Sequence, residues 1–129
     1  MTAREPLLSV EGLTTWYPIR AGLMRRVVGH VQAATDVGFE IAAGRTLALV
    51  GESGCGKSTV GRSILGLESP RAGRVVFEGR DILTLPPDEL RAARQRLQIV
   101  FQDPQASLDP RMRVRDQIAE GMRSFGLAK

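Results

Sequence analysis

One run of residues in the middle of the chain has the types and spacing needed to bind phosphate. It reads Gly51-Glu52-Ser53-Gly54-Cys55-Gly56-Lys57-Ser58, which fits the pattern G-x-x-x-x-G-K-[ST] of a P-loop. The glycines allow the backbone to curl so that its N–H groups form a nest for phosphate oxygens. Lys57 can reach the β- and γ-phosphates of a nucleotide, and the Ser58 hydroxyl can bind Mg²⁺. The predicted cofactor-binding residues are Gly51, Glu52, Ser53, Gly54, Cys55, Gly56, Lys57, Ser58 and, as an additional phosphate contact, Thr59.

The residues on either side of this loop predict the elements that position it. Thr46 to Val50 form a near-continuous apolar run, which is typical of a strand buried on both faces of a parallel sheet. After Lys57, the residues Val60, Ile64 and Leu67 recur at helical spacing. A strand, a glycine-rich loop and a helix in this order predict an α/β fold with a central parallel sheet and a nucleotide at the helix N-terminus.

The rest of the chain shows alternating strand patterns before the loop and mixed elements after it. Pro18 should end the first strand, and the segment Ile19 to His30 is expected to be a basic loop or a loose hairpin tip. The predicted strands cover residues 7–17, 37–41, 74–79 and 97–101, and the predicted helices cover residues 86–96 and 114 to nearly 129.

Composition restricts the classes of protein that the chain can belong to. The 129 residues are 43% hydrophobic and 25% charged, which is typical of one soluble globular domain or a part of one. No apolar run reaches the length of a membrane span, and the N-terminus lacks the apolar stretch of a signal peptide. The net charge of +4 comes almost entirely from scattered arginines, so no nucleic-acid partner is expected. Cys55 and His30 show no pairing that suggests catalysis or metal binding.

Two further patterns bear on which nucleotide is bound. The chain contains no asparagine, so it cannot supply the Asn-Lys-x-Asp motif with which GTPases recognise guanine. Leu97 to Asp103 imitates the strand-and-aspartate element that completes a Mg²⁺ site in P-loop proteins. Gln102 separates the strand from Asp103, however, and Pro104 follows, so this acid is expected to be offset from the metal.

The same segment carries a family resemblance. The run Leu97 to Met112 (LQIVFQDPQASLDPRM), together with the loop from Gly51 to Thr59, resembles the ATP-binding subunits of ABC transporters. The long basic insertion after residues 16–19 (WYPI) is similar to the oligopeptide, dipeptide and nickel importer branch. The resemblance covers essentially the whole chain. It implies a P-loop NTPase with an N-terminal antiparallel β subdomain, a core that reaches the Q-loop at residue 102, and the start of a helical subdomain over residues 103–129.

The resemblance also implies roles and partners. Tyr17, or its neighbour Trp16, matches the A-loop aromatic that stacks on adenine. Gln102 matches the Q-loop glutamine, which contacts Mg²⁺ and the attacking water and couples to the membrane subunits. The implied catalytic residues are therefore Lys57 and Gln102. The implied metal ligands are Ser58 and Gln102. The implied cofactors are ATP and Mg²⁺. The implied partners are transmembrane permease subunits and a second ATP-binding subunit, at the cytoplasmic face of the cell membrane.

Several family motifs have no match in this sequence. These are the LSGGQ-type signature, the Walker B Asp-Glu pair, the D-loop and the switch histidine, all of which follow the Q-loop helix. Residues 1–129 are therefore expected to be a truncated, N-terminal part of the domain that does not hydrolyse ATP alone. The alternatives to an importer ATPase are a nucleotide-binding fragment without turnover and a soluble ABC-type ATPase. Two residues depart from the pattern of the importer branch. Asp109 replaces the usual asparagine, and Gln105 replaces a common aromatic residue. Neither position contacts the nucleotide in the family, so these departures bear only on contacts with partner subunits.

Overall fold

The computed structural model describes residues 5–103, 105 and 107–127. It divides the chain into two compact units, one up to Arg91 and one from Ala92 onward. The predicted boundary between residues 102 and 103 separates the core of the family's domain from its helical subdomain. It is not the division between these two compact units, and it stays a prediction.

The first unit is built on a four-stranded antiparallel sheet. Its strands are β1 (Leu8–Ala21), β2 (Arg26–Ile41), β3 (Ala72–Phe77) and β4 (Arg80–Asp81), arranged in the order β2-β1-β3-β4. Leu8 pairs with Ile41 on one side and with Phe77 on the other, so β1 is central. The sheet contains the strands predicted at residues 7–17, 37–41 and 74–79, and it corresponds to the antiparallel β part that the resemblance implied.

The segment from Ile19 to His30 is more regular than its composition suggested. Strand β1 continues through Pro18 to Ala21, and β2 begins at Arg26, so the segment is the end of a long hairpin. Pro18 is tolerated because β1 pairs with β3 only as far as Thr14, which leaves Pro18 paired with β2 alone. The prediction of a hairpin tip is therefore correct, and the prediction that the strand ends at Pro18 is wrong.

The core of the first unit lies between this sheet and one helix. Helix α1 (Lys57–Ile64) contacts both β1 and β2, and Val60 on the helix is buried. The buried apolar residues on the strands and on the segment after β4 are Leu8, Val10, Leu13, Ala34, Val75, Phe77 and Ile82. Of the positions that the alternating and helical patterns identified, Leu8, Val10 and Val60 are buried, whereas Leu67 is 51% exposed.

Two predicted strands do not form in the described residues. Thr46 to Val50 and Leu97 to Phe101 belong to neither a helix nor a strand, and all strand pairings in the sheet are antiparallel. Val50, which was expected to be buried, is 86% exposed, and Val100 is 96% exposed. A strand exists only as part of a hydrogen-bonded ladder, and no part of the chain that the structure describes pairs with either segment. The two apolar segments therefore do not form a central parallel sheet in the described residues.

The remaining elements are two short helices. Helix α2 (Pro87–Arg94) crosses the division between the units, and α3 (Val114–Ser124) lies in the second. Helix α3 ends at Ser124 because Gly126 adopts a left-handed φ of 70°, a common way for a helix to stop, so the helix does not run on toward Lys129, which lies outside the described residues. Among the described residues, no helix has the length and apolar character of a membrane span.

Candidate phosphate-binding site

The backbone of the loop from Gly51 to Gly56 has the curled conformation that the motif predicts. Gly54 and Gly56 have φ angles of 81° and 96°, in the left-handed region that favours glycine. The N–H of Cys55 donates to the carbonyl of Glu52 at 3.3 Å, which closes the turn. The two glycines therefore permit the turn, and the chain enters α1 immediately afterwards.

The N-terminus of α1 is open to an anion. Gly56 occupies the N-cap position without a side-chain hydrogen bond, and the first turn contains no acidic residue. The first backbone N–H groups of a helix have no partner inside the helix, and the helix dipole places partial positive charge at the same end. Since no side chain of the helix supplies a cap or an opposing negative charge, this end of α1 suits a phosphate group.

Lys57 lies over the loop. Its Nζ donates to the carbonyl oxygens of Gly51 at 2.8 Å and Glu52 at 2.5 Å, and it lies 3.3 Å from the Sγ of Cys55. The ammonium group is thus held at the mouth of the nest by neutral acceptors. A phosphate oxygen carries negative charge and is a stronger acceptor than a carbonyl, so a bound phosphate would take over these hydrogen bonds.

Strand β2 touches the loop at one irregular position. Thr15 pairs with Ala34 and Trp16 pairs with Gln32, so Ala33 is an extra residue that bulges from the ladder. A Cβ added to Gly56 would overlap the carbonyl oxygen of Ala33. The bulge therefore places β2 backbone directly against the last glycine of the loop.

A buried hydrogen bond anchors the other end of α1 to the sheet. The hydroxyls of Thr15 on β1 and Ser63 on α1 are 2.8 Å apart, and the two residues are 1% and 0% exposed. Sequence reasoning missed both this pair and the Ala33 bulge. The Thr14-Thr15 pair offered two hydroxyls, but nothing in the local pattern shows which of them meets a helix.

A cavity of about 360 Å³ lies beside the loop, within the size range of ligand pockets. It is bounded by β2 on one side and by the loop and α1 on the other. Its lining includes Gln32, Ala34, Val37, Cys55, Gly56 and Lys57. Three of the predicted phosphate-binding residues, Cys55, Gly56 and Lys57, thus lie at the edge of one cavity.

The two aromatic candidates for adenine stacking have different surroundings. Trp16 donates from Nε1 to the Thr35 hydroxyl at 2.9 Å, its ring lies under the Arg71 guanidinium at 4.9 Å, and the His30 ring is 6.1 Å away. Tyr17 is half-buried. Because side chains alternate along a strand, Tyr17 shares the face of Thr15, which meets α1, and Trp16 points to the opposite face. Neither ring lines the cavity, so stacking on adenine by Tyr17 stays a prediction.

Gln102 belongs to the second unit, where it is exposed. Its neighbour Asp103 accepts a hydrogen bond from the N–H of Gln105 at 3.0 Å, and Asp109 accepts one from the N–H of Arg111 at 2.9 Å. Both aspartates thus use a carboxylate oxygen to form local turns, which any Asp or Asn can do. Pro104 and Ala106 of the same run lie outside the described residues. The catalytic and metal-binding roles of Gln102 remain predictions.

The residues at this site are consistent with a nucleotide whose phosphates provide most of the ligands of a bound metal ion. The site offers backbone N–H groups, one ammonium and the exposed hydroxyl of Ser58, the second residue of α1. No group of three or more His, Cys, Asp or Glu side chains in the described part of the chain could hold a metal ion. Mg²⁺ usually keeps several waters and is bound through substrate phosphates, so one hydroxyl beside a phosphate nest is consistent with it.

Comparison with known proteins identifies the family. Residues 34–128 match the model of a family described as "ABC transporter". The chain is 49% identical over 123 residues to the glutathione import ATP-binding protein GsiA of Escherichia coli strain K12 and, equally, to that of Shigella flexneri. These matches cover 95% of this chain and 20% of each relative, so the chain spans about a fifth of the length of the curated relatives.

Solved structures give the same result for the fold. The dimeric ATP-binding cassette MJ0796, in a post-hydrolysis state with ADP and Pi, superposes with a TM-score of 0.73 at 24% identity, over 95% of this chain and 49% of that one. A bacterial Atm1-family ABC exporter with ATP bound gives a TM-score of 0.51 at 30% identity, over 72% of this chain and 14% of that one. Since the family model covers well over half of its residues, the chain belongs to the ABC transporter family and has the P-loop NTPase fold of ATP-binding cassettes.

Proposed function

We propose that this chain is the ATP-binding part of the ATPase subunit of an ABC importer. The observation that carries the proposal is the loop from Gly51 to Gly56, which opens α1 with two left-handed glycines and with Lys57 over its mouth. The family match and the similarity to GsiA support it.

Binding would begin with an exchange of partners at Lys57. The ammonium leaves the carbonyls of Gly51 and Glu52 and donates to phosphate oxygens, while the N–H groups at the start of α1 donate to the same phosphate chain. Each charge-assisted hydrogen bond contributes about 1.5–3 kcal/mol. When bound, Mg²⁺ would supply charge neutralisation between the phosphates. The proposed metal ligands are Ser58 and Gln102.

Two further residues have proposed roles, one in binding adenine and one in coupling to transport. Tyr17 is the proposed stacking partner of adenine, because Trp16 is already engaged with Thr35 and Arg71 on the opposite face of β1. Gln102 is the proposed link between ATP hydrolysis and the permease subunits. Its exposed position leaves it accessible for that contact.

The proposed solute is a peptide or a similar small molecule. The relatives named GsiA are described as glutathione import ATP-binding proteins, and glutathione is a short peptide. The proposed partners are transmembrane permease subunits and a second ATP-binding subunit, at the cytoplasmic face of the membrane. The dimeric state of MJ0796 supports a second ATP-binding subunit. A nucleotide-binding chain without turnover is the second candidate, since the sequence shows no match to the Walker B and signature motifs.

Calorimetric titration of the purified chain with Mg-ATP and with Mg-tripolyphosphate tests the ATP site. Lys57→Ala should weaken binding of both ligands by about 10- to 100-fold, because the phosphate chain is common to them. Tyr17→Ala should weaken ATP binding by about 5- to 100-fold and leave tripolyphosphate binding unchanged, because stacking contributes about 1–3 kcal/mol.

Two matched controls are available. Arg62→Ala removes one exposed positive charge from the other end of α1, and Trp16→Ala removes the adjacent aromatic ring. Neither should alter the preference for ATP over tripolyphosphate. Unchanged affinity in Lys57→Ala would contradict the phosphate site, and equal losses for both ligands in Tyr17→Ala would contradict adenine stacking.

A further inference from the structure

The end of the β1–β2 hairpin, residues 19–28, projects apolar side chains into solvent. We call this segment the hairpin tip. Leu23 and Met24, at the centre of its turn, are 104% and 79% exposed. Ile19, Val27 and Val28 on the flanking strands are also largely exposed. Exposed apolar residues are common singly, but several within ten positions form a patch that marks an interaction surface.

The same tip carries positive charge without opposing acids. Arg20, Arg25 and Arg26 are exposed, and the sequence has no acidic residue between Glu11 and Asp36. None of these arginines forms an ion pair with another described residue. The tip therefore presents three guanidinium groups whose charge no carboxylate of the described residues balances through an ion pair.

The tip is held in a defined shape. The N–H of Arg25 donates to the carbonyl of Gly22 at 3.1 Å, and Ala21 pairs with Arg26 across the base of the turn. Gly22 and Arg25 both have left-handed φ angles, of 76° and 48°. A hydrogen-bonded turn thus places Leu23 and Met24 at the extreme end, with the arginines directly behind them.

We infer that the hairpin tip binds the surface of a bilayer that contains anionic lipids. Apolar side chains at an extreme point can enter the boundary between headgroups and acyl chains. Arginines behind them can keep their stems in the apolar layer and their guanidinium groups on lipid phosphates. A nucleic acid would use the arginines but would leave Leu23 and Met24 in water, so the combination favours a lipid surface.

This surface is separate from the ATP site. None of residues 19–28 lines the cavity beside the phosphate-binding loop. Lipid binding by the tip is therefore expected without nucleotide, and it goes beyond the proposed importer function. Failure of ATP binding in the calorimetric test would leave the lipid result unaffected, and the reverse also holds.

Vesicle flotation of the purified chain without nucleotide tests the inference. The vesicles contain either phosphatidylcholine alone or phosphatidylcholine with about 30% phosphatidylglycerol. The chain should float with the anionic vesicles and not with the neutral ones. Raising the salt concentration from about 0.1 to about 0.5 M should weaken the binding, because salt screens the arginines.

Two sets of substitutions locate the contact. The triple variant Arg20→Ser, Arg25→Ser, Arg26→Ser should lose on the order of 100-fold in vesicle affinity, since each arginine near an anionic surface contributes about fivefold. The matched control Arg111→Ser, Arg113→Ser, Arg115→Ser changes the net charge by the same amount in the second unit, and it should bind like the unaltered chain. Leu23→Ser with Met24→Ser should remove the binding that persists at high salt.

Three results would overturn the inference. Equal losses in the two arginine triples would show that binding follows net charge alone, and equal flotation with neutral vesicles would show that anionic lipid is not recognised. Absence of flotation together with self-association that Leu23→Ser and Met24→Ser abolish would assign the tip to a second copy of the chain. Circular dichroism of each variant confirms that any loss occurs in a folded protein.

Discussion

At Gly56, the phosphate-binding loop passes against the backbone of β2. The residue has a left-handed φ of 96°, and any side chain there would meet the carbonyl oxygen of Ala33. Two separate constraints, backbone conformation and close approach, therefore act on one position. The motif explains the first constraint, and only the three-dimensional structure reveals the second.

Gly56→Ala should consequently damage both the fold and the site. An alanine with left-handed φ costs about 1–2 kcal/mol, and displacement of either the loop or the bulge at Ala33 adds to this cost. Because Lys57 follows directly, a shifted loop should also weaken Mg-ATP binding by at least about tenfold. Urea unfolding and calorimetric titration measure the two effects.

Gly61→Ala is the matched control on the same helix. Gly61 lies inside α1, and an added Cβ meets no atom within 4 Å. Alanine favours the helix over glycine, so this variant should gain about 0.5–1 kcal/mol and bind ATP as before. If Gly56→Ala behaved like Gly61→Ala, the contact between Ala33 and the loop would contribute nothing to the free energy of unfolding.

At the scale of elements, the sequence predicts the antiparallel strands and all three helices because their patterns are local. Residues 74–79 illustrate this. Their short apolar run between glycines predicts a strand. Strand β3 ends at Phe77, and Glu78 and Gly79, which were predicted to belong to the strand, form the tight left-handed turn that joins β3 to β4. The phosphate-binding loop is equally local, since all of its parts lie between Gly51 and Thr59.

The features that the sequence could not predict depend on distant partners. Thr46 to Val50 has the composition of a buried strand, but a strand also needs neighbours, and composition does not reveal whether they are present. The bond between Thr15 and Ser63 joins residues 48 positions apart, and no periodicity connects them. For the same reason, the length of the β1–β2 hairpin was underestimated, because its tip is stabilised by cross-strand pairing and has no apolar alternation.

The Thr15–Ser63 bond predicts how firmly α1 is held on the sheet. Ser63→Ala or Thr15→Val leaves one buried hydroxyl without a partner, which should lower the free energy of unfolding by about 1–3 kcal/mol. The double variant removes both hydroxyls and should cost clearly less than the sum of the single variants. Urea unfolding of the four proteins gives the coupling energy.

An exposed serine on the same helix provides the control. Ser58→Ala, measured without nucleotide, should change the free energy of unfolding by no more than about 0.5 kcal/mol. Strictly additive effects in the Thr15 and Ser63 variants would mean that the two hydroxyls do not interact in solution. The position of α1, and with it that of Lys57, would then depend on packing contacts such as those of the buried Val60.

At the scale of the whole molecule, the proposed phosphate-binding residues lie together at the start of α1, and we expect them to bind ATP without cleaving it. Phosphoryl transfer requires charge stabilisation around Mg²⁺ and an oriented water molecule, in addition to a phosphate nest. The sequence shows no match to the Walker B and signature motifs that supply these functions in the family. The nearest substitute for a Walker B acid is Asp103, and its carboxylate already accepts the N–H of Gln105.

Purified residues 1–129 should therefore bind Mg-ATP without hydrolysing it. The nest, the ammonium and the Ser58 hydroxyl are close together in sequence, so they can bind phosphate once the first unit has folded. Turnover needs further groups, for which this sequence shows no matching motif. A phosphate-release assay beside Lys57→Ala provides the measurement, and the two rates should be equal. Release above that of Lys57→Ala, abolished by Asp103→Asn, would show that Asp103 completes the site. The chain would then be a self-sufficient P-loop enzyme, because Asp103 would provide the acid that the family takes from its Walker B motif.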